Sequence, residues 1–166
     1  MLKDTSTGTR SFCKSANLHA TLKSGSGLAD AGIGSITSAT FTGYYLDGGN
    51  VDPLTVVANG LPWKLKATSY DVGAGVTTGT ITGIDLTING ALVCSAVLDG
   101  TAAGADNGGI RFTYTNSTGK LKLLPGGSSL HGWSVFDCYG LIGKGGDPVQ
   151  PTGGPPVIPQ QTITSP

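Results

Sequence analysis

The stretch from Leu61 to Ile88 constrains the fold more than any other part of the chain. From residue 63 onward apolar and polar residues alternate, so that Trp63, Leu65 and Ala67 share one face and two lysines lie on the other. A β-strand has a side-chain period of two residues, so such alternation buries one face and leaves the other in water. Residues 71–75 include two glycines, which allow the chain to reverse. The segment therefore predicts a long antiparallel hairpin.

The return strand of this hairpin is rich in threonine and isoleucine. Strict alternation places Ile84 and Ile88 on one face and Ile81 on the opposite face. Gly79 and Gly83 fall inside the strand, where glycine is typical of a bend or a bulge. We therefore expect the sheet to curve at these two positions.

Composition extends the all-β prediction to the rest of the chain. All ten acidic residues are aspartate, a poor helix former, and no long segment has a helical period. Threonine, valine and isoleucine fill about nine or ten short periodic stretches, with turn signals between them. This pattern predicts an antiparallel β-sandwich or β-barrel with little or no helix, and periodicity does not choose between the two.

The domain organisation follows from where the composition shifts. We expect residues 1–147 to form a single all-β domain. Residues 148–166 are rich in proline and glycine, and the prolines argue against an interior strand there. Residues 161–164 carry β-formers and are a candidate edge strand.

Charge and hydropathy exclude two classes of partner. The net charge is zero and the sequence contains no basic patch, which argues against nucleic acid as a partner. No apolar run approaches the ~20 residues of a membrane-spanning helix, so we expect no membrane insertion.

Low charge, many small polar residues and cysteines placed in strands are typical of an exported protein. Residues 1–4 do not begin a signal peptide, because no apolar segment follows them. We therefore expect a secreted, extracellular protein whose signal peptide has been removed.

The residues that carry chemistry in enzymes are sparse here. A Cys–His nucleophile would have to use His19 or His131, and no ligand spacing for zinc is present, so we predict no metal and no cofactor. Asp85 and Asp99 are the candidates for a carboxylate pair, although nothing in the sequence brings them together. Aspartate and asparagine at 47–52 or 99–107 could offer oxygen ligands to calcium, but turn formation is the simpler interpretation.

Aromatic side chains supply the best candidates for ligand binding. Tyr44 and Tyr45 are adjacent in a predicted strand, so one of them must point outward. With Tyr139 they form a candidate binding face, whereas Trp63 and Trp133 are predicted to be core residues.

Several motifs in a fixed order resemble a family of small secreted actinobacterial proteins without an assigned function. They are GLPWKLKA, GVTTGTITGI, ALVCSAVLDGT, YTNSTGKLKL and a Cys-x-Gly-Leu-Ile element at Cys138. The similarity runs from about Cys13 to the C-terminus, and it implies secretion and an all-β fold. Members carry four cysteines, but this chain has Tyr44 near the position expected for the second.

The resemblance also implies a pairing of the three cysteines. Consecutive pairing in the family would join Cys94 to Cys138 and leave Cys13 without its partner. From the sequence alone a Cys13–Cys94 bridge stays open. An unpaired Cys13 is expected to be a buried thiol or to form an intermolecular disulfide.

These observations favour a non-enzymatic extracellular structural or interaction module that self-associates as a homo-oligomer or assembly, or that binds a cell-surface partner. A virion or appendage component is a variant of this hypothesis. The alternative is a soluble barrel or sandwich that binds a small apolar or carbohydrate ligand. An aspartate-based hydrolase is the least favoured hypothesis.

Overall fold

The computed structural model describes residues 1–23, 32–46, 54–90, 94–138 and 142–164, and every regular element in this part of the chain is a β-strand. The eleven strands are β1 (Leu2–Asp4), β2 (Arg10–Leu22), β3 (Gly34–Leu46), β4 (Thr55–Asn59), β5 (Trp63–Asp71), β6 (Val76–Asn89), β7 (Ser95–Asp99), β8 (Gly108–Thr115), β9 (Lys120–Ser128), β10 (His131–Phe136) and β11 (Val149–Pro151). The predicted all-β fold is confirmed.

The strands form a closed antiparallel barrel with eight positions in its wall. β4 and β5 lie end to end between β3 and β6, and β7 and β8 lie end to end on the other side of β6. β9 and β10 continue the wall, the chain around β11 pairs beside them, and β1 joins β11 to β2. This closure decides in favour of a barrel over a sandwich.

The geometry of the wall changes at one level of the barrel, where β4 meets β5 and β7 meets β8 end to end. β6 crosses this level without a break but shifts register between Thr82 and Ile84, with Gly83 at φ +84°. The predicted bulge at Gly83 is therefore confirmed. It inserts one residue, so Ile81 and Ile84 both face the core. The expectation that Ile81 and Ile84 lie on opposite faces is wrong, because the bulge changes the phase of the alternation.

The level of the bulge divides the barrel into two halves. The disulfide half contains β4, β7 and β10, and the hairpin half contains β5, β8 and β9 with the turns at 72–75 and 116–119. Buried side chains of the disulfide half are Val56, Ile84, Leu86, Ile88, Ala96, Leu98 and Leu130. Those of the hairpin half are Ile36, Trp63, Leu65, Ala67, Ile81, Ile110, Phe112 and Tyr114.

The C-terminal segment contributes to the wall in spite of its prolines. β11 pairs with β1, and the carbonyl oxygens of Pro148, Gly153 and Pro155 accept hydrogen bonds from backbone amides of neighbouring strands. The prediction that proline excludes an interior strand here is wrong for Val149–Pro151. Proline lacks only the N–H donor, and the segment pairs through its carbonyls and through the amides of non-proline residues such as Val149 and Thr152. Residues 161–164, the predicted edge strand, form no strand.

β1 and β2 differ greatly in length, and this difference leaves a gap in the wall. β1 has three residues and pairs with β2 only at Arg10 and Ser11. Residues 12–22 of β2 pair with β3 on one side, and no strand among the described residues pairs with their other side. The hairpin half is therefore open beside β2.

Candidate functional site

The gap beside β2 leads into a cavity of about 460 Å³ in the hairpin half. One wall is the unpaired edge of β2, which contributes five consecutive residues, 16–20. The opposite wall is the chain that follows β11, from Pro155 to Ile163. The remaining lining residues are Leu22, Ile33, Ile36, Leu65, Ile81, Phe112, Tyr114 and Leu121.

The deep part of the cavity is made of hydrocarbon. Ile36, Leu65, Ile81 and Phe112 are all buried there. Phe112 lies over Gly79, where an added methyl group would come within 2.5 Å of its Cζ atom. Gly79 thus makes room for an aromatic ring, and the register between β5 and β6 shifts beside it, between Ala67 and Ser69.

The C-terminal wall of the cavity is held by two buried or half-buried polar side chains. The hydroxyl of Tyr114 donates to the carbonyl of Gln161 at 2.8 Å and accepts from its amide at 2.9 Å. The amide of Asn116 donates to the carbonyl of Ile163 at 2.8 Å and its oxygen accepts from the Ile163 amide at 3.1 Å. Because both polar groups are satisfied by the backbone, neither presents a free polar atom to the cavity.

The mouth of the cavity mixes apolar and polar side chains. Leu22 is 41% exposed and Ile158 is 86% exposed, which is unusual for residues of this type. Asn17 and His19 are exposed on the β2 side and are the polar lining residues there. The site therefore has an apolar interior and a rim with apolar and hydrogen-bonding groups.

Tyr44 and Tyr45, two of the three tyrosines predicted as a binding face, do not line this cavity. Tyr44 is buried and its ring lies 6.3 Å from that of Phe41, whereas Tyr45 is 40% exposed and stacks on Phe12 at 5.4 Å. One of the adjacent pair thus points outward, as strand geometry requires. Tyr139 lies outside the described residues.

The cysteines adopt the pairing that the family resemblance implied. Cys94 and Cys138 form a disulfide with a Cα–Cα distance of 4.3 Å, and both are buried. Cys13 is a half-buried free thiol that donates to the carbonyl of Ser15 at 2.7 Å. Burial, followed by the nearby Cys13, raises the pKa of Tyr44 well above its ordinary range.

Three aspartates meet at the level of the bulge, and no local sequence pattern predicts that they lie together. Each of Asp85, Asp99 and Asp106 offers one carboxylate oxygen, and these oxygens lie within 4.8 Å of one another. Burial, followed by the charges of the other two, raises the pKa of Asp85, although the amide of Asn59 donates to it. Three carboxylates at this spacing are the residues that could hold a divalent cation.

Asp99 has a structural task within this cluster. It is fully buried, and its two oxygens accept from the backbone amides of residues 100, 106, 107 and 108. Burial alone would raise the pKa of Asp99, but these backbone hydrogen bonds outweigh it and lower the pKa below its ordinary value. The carboxylate therefore fixes the loop between β7 and β8, and no oxygen of Asp99 faces solvent.

The histidines stand apart from each other. His131 Nδ1 lies 3.1 Å from the carbonyl of Gly100 and 3.0 Å from that of Ser129, and its ring is 6.2 Å from that of Trp133. His19 is exposed at the cavity mouth on β2. The His131 ring is thus held between backbone carbonyls and Trp133, whereas His19 lies exposed at the rim of the cavity.

Comparisons with protein-family models, with curated proteins and with solved structures find no match for this chain. In the described part of the chain, no helix is long and apolar enough to cross a membrane.

Sequence reasoning missed the residues that build the cavity. Alternation identifies Ile81 only as a strand residue, and the shift in composition separates residues 155–163 from the predicted domain. One signal was available: Val157, Ile158 and Ile163 are apolar residues in a proline-rich segment, and apolar residues in such a segment need a surface to pack against.

Proposed function

We propose that this protein is a non-enzymatic barrel that binds a small apolar ligand in the cavity beside β2. The observation that supports the proposal is a cavity of about 460 Å³ whose deep surface is hydrocarbon. Ligand sites in proteins have volumes of roughly 300–1,000 Å³ and are lined mainly by apolar side chains. The mouth of a β-barrel is a common position for such a site, and an eight-stranded barrel has room for one small ligand.

The chemistry of the cavity limits the class of ligand. The polar atoms of Tyr114 and Asn116 are already bonded to the C-terminal segment, so the interior offers few hydrogen bonds to a ligand. Asn17 and His19 at the rim can contact one polar group at the outer end. The site suits a molecule with an apolar body and a polar end directed toward solvent.

Binding can be tested with the neutral fluorophore N-phenyl-1-naphthylamine. We expect saturable binding with one site per chain and a blue-shifted emission. Ala16→Trp places an indole at the cavity wall and should weaken binding tenfold or more, because the volume it fills is the volume the ligand needs. Ala102→Phe adds an aromatic ring at an exposed loop position and should leave affinity unchanged. Equal affinity of the two variants for the fluorophore would show that the cavity is not the binding site.

A second function is favoured by the unpaired edge of β2. Residues 12–22 present backbone groups with no strand partner among the described residues, and such edges pair readily with another chain. This observation supports the hypothesis of a self-associating module. Light scattering over a concentration range should show the mass rising, and Leu18→Pro should abolish the rise. Constant mass for the wild-type protein would contradict it.

We also propose that the protein is secreted. The Cys94–Cys138 disulfide supports this, because disulfides persist in oxidising compartments. Alkylation of the protein taken directly from culture medium and from cell extract should find it in the medium, with one free thiol per chain at Cys13. Recovery only from the extract, with three free thiols, would contradict the proposal.

A further inference from the structure

The outer face of four strands in the hairpin half carries mainly cationic and threonine side chains. We call it the basic face and define it by the outward residues of β5, β6, β8 and β9. They are Lys64, Lys66, Thr68, Ser69, Asp71, Val76, Thr78, Thr80, Thr82, Arg111, Thr113, Thr115, Lys120, Lys122 and Leu124. It holds five of the ten lysines and arginines of the chain and one carboxylate, Asp71, at the turn end of β5. The sequence shows no run of basic residues, but strand pairing brings these five onto one surface.

The strand register spaces the cations regularly across the basic face. Thr80 pairs with Lys66 on one side and with Arg111 on the other. Thr113 pairs with Lys122 and Thr115 pairs with Lys120. Neighbouring strands lie about 4.8 Å apart, so the backbones of Lys66 and Arg111 are roughly 10 Å apart, with Thr80 between them. All five cations are exposed, and none of them forms an ion pair with a carboxylate in the part of the chain that the structure describes.

A concave site lies at one end of the basic face. Its volume is about 390 Å³, and it is lined by Thr113, Thr115, Thr118, Lys120, Leu121, Lys122, Gly153 and Gly154. Gly154 is required there, since an added side chain would meet the carbonyl oxygen of Leu121 at 2.0 Å. The backbone of the C-terminal segment can therefore approach β9 closely and form one side of the concavity. Two lysines and three threonines are among its lining residues.

We propose that the basic face binds a linear anionic polysaccharide, with one anionic group held in the concavity at Lys120 and Lys122. Unpaired cations gathered on one face attract a polyanion, and threonine hydroxyls can hydrogen bond to sugar hydroxyl, carboxylate or sulfate oxygens. The face contains no aromatic side chain on which the bases of a single-stranded nucleic acid could stack. Its two aliphatic side chains, Val76 and Leu124, are only half-exposed, so the face has no protruding apolar group that would enter a lipid surface. This site lies outside the barrel and does not depend on a ligand in the cavity.

Dextran sulfate is the probe that tests the proposal, with neutral dextran and single-stranded DNA as comparisons. We expect the full-length protein to bind dextran sulfate in 50 mM salt and not to bind neutral dextran. The triple variant K66Q/R111Q/K122Q should bind at least tenfold more weakly. Its slope of log affinity against log salt should be smaller by about 2, at roughly 0.7 for each charge removed. The matched variant R10Q/K14Q/K144Q removes three exposed cations elsewhere and should retain wild-type affinity.

Two further outcomes bear on the kind of polyanion and on the concavity. DNA of matched charge should bind more weakly than dextran sulfate, and equal or tighter binding of DNA would overturn the assignment to polysaccharide. Thr113→Val with Thr115→Val removes two hydroxyls without changing charge, so affinity should fall at least threefold while the salt slope stays constant. Unchanged affinity in this variant would overturn the contact in the concavity. Equal losses in the two triple variants would overturn the basic face as the site.

Discussion

The two halves of the barrel share β2, β3 and β6 but are filled in different ways. In the disulfide half the side chains of Ile84, Ile88 and Leu98 are almost completely buried, and a disulfide joins β7 to the end of β10. In the hairpin half Phe112 and Ile81 are also buried, but they line a cavity that opens beside β2. The same alternating strands can thus build a solid core or a binding site.

The difference between the halves comes from the length of one strand, β1, and not from the hydrophobicity of their side chains. β1 has three residues and spans only part of the seam between β2 and β11. Where β1 is present, the wall is continuous. Beyond it the C-terminal segment, held by Tyr114 and Asn116, stands across the gap without pairing to β2. A short strand therefore creates the opening, and a tethered segment forms its far wall.

The largest expected effect is on the disulfide half. Replacing Cys94 and Cys138 by alanine should lower the free energy of unfolding by about 4 kcal/mol, the chain-entropy value for a closed loop of this length. Urea unfolding followed by tryptophan fluorescence measures it, with Cys13→Ala as the control that keeps the bridge. A loss of less than about 1 kcal/mol would show that the bridge is not what secures this half, since native disulfides typically contribute 2–5 kcal/mol.

Two isoleucines on one strand compare the packing of the halves directly. Ile84→Ala should cost about 4 kcal/mol, because it empties a site in a filled core. Ile81→Ala should cost about 2 kcal/mol, since Ile81 already borders a cavity and loses fewer contacts. Chemical denaturation of the two variants gives both values. Equal costs would mean that the hairpin half is packed as tightly as the other.

The carboxylate of Asp99, at the boundary between the halves, should make a large contribution to the free energy of unfolding, and this contribution should depend on pH. Asp99→Asn should cost about 3 kcal/mol at pH 7, because several buried amides lose a charged acceptor. The pKa of Asp99 is lowered from 3.8, so its contribution is present above that pH and is lost as the pH falls through the lower, folded-state pKa. Stability of the variant should therefore vary less than that of the wild type at acidic pH, with exposed Asp71→Asn as the control.

The smallest expected effect has the opposite sign. Asp85→Asn should stabilise the protein by about 1 kcal/mol at pH 7, a typical gain when an unfavourable charge is removed. The pKa of Asp85 is raised, so its carboxyl favours the folded state below pH 3.8 and this contribution is lost as the pH rises through the folded-state pKa. Thermal unfolding at pH 7 measures the gain. A destabilised variant, together with stabilisation of the wild type by calcium, would indicate instead that the three aspartates hold a cation.

The sequence predicted strands well because alternation is a local signal. The central hairpin, its buried face at Trp63, Leu65 and Ala67, and the bulge at Gly83 all follow from residues near one another in the chain. The phase change that buries Ile81 with Ile84 did not follow, because alternation alone does not count the residue that a bulge inserts.

Closure and the cavity depended on contacts between distant parts of the chain. β11 is three residues long and ends in proline, so it carries almost no strand signal, yet it completes the barrel by pairing with β1. The cavity exists because β1 is shorter than β2 and because residues 155–163 return to β8. Likewise Asp85 and Asp99 meet only through the pairing of β6 with β7. No local sequence pattern encodes the length of β1 or the contact of residues 155–163 with β8.

The apolar ligand site in the hairpin half can be tested by observing isoleucine methyl groups by NMR during a titration with N-phenyl-1-naphthylamine. We expect large shift changes for Ile36, Ile81 and Ile163, which line the cavity, and none for Ile84, Ile88 and Ile142, which are outside it. Saturation of the shifts at one equivalent would support the hairpin half as a single apolar site. Shifts of equal size in both sets, or confined to the second set, would contradict it.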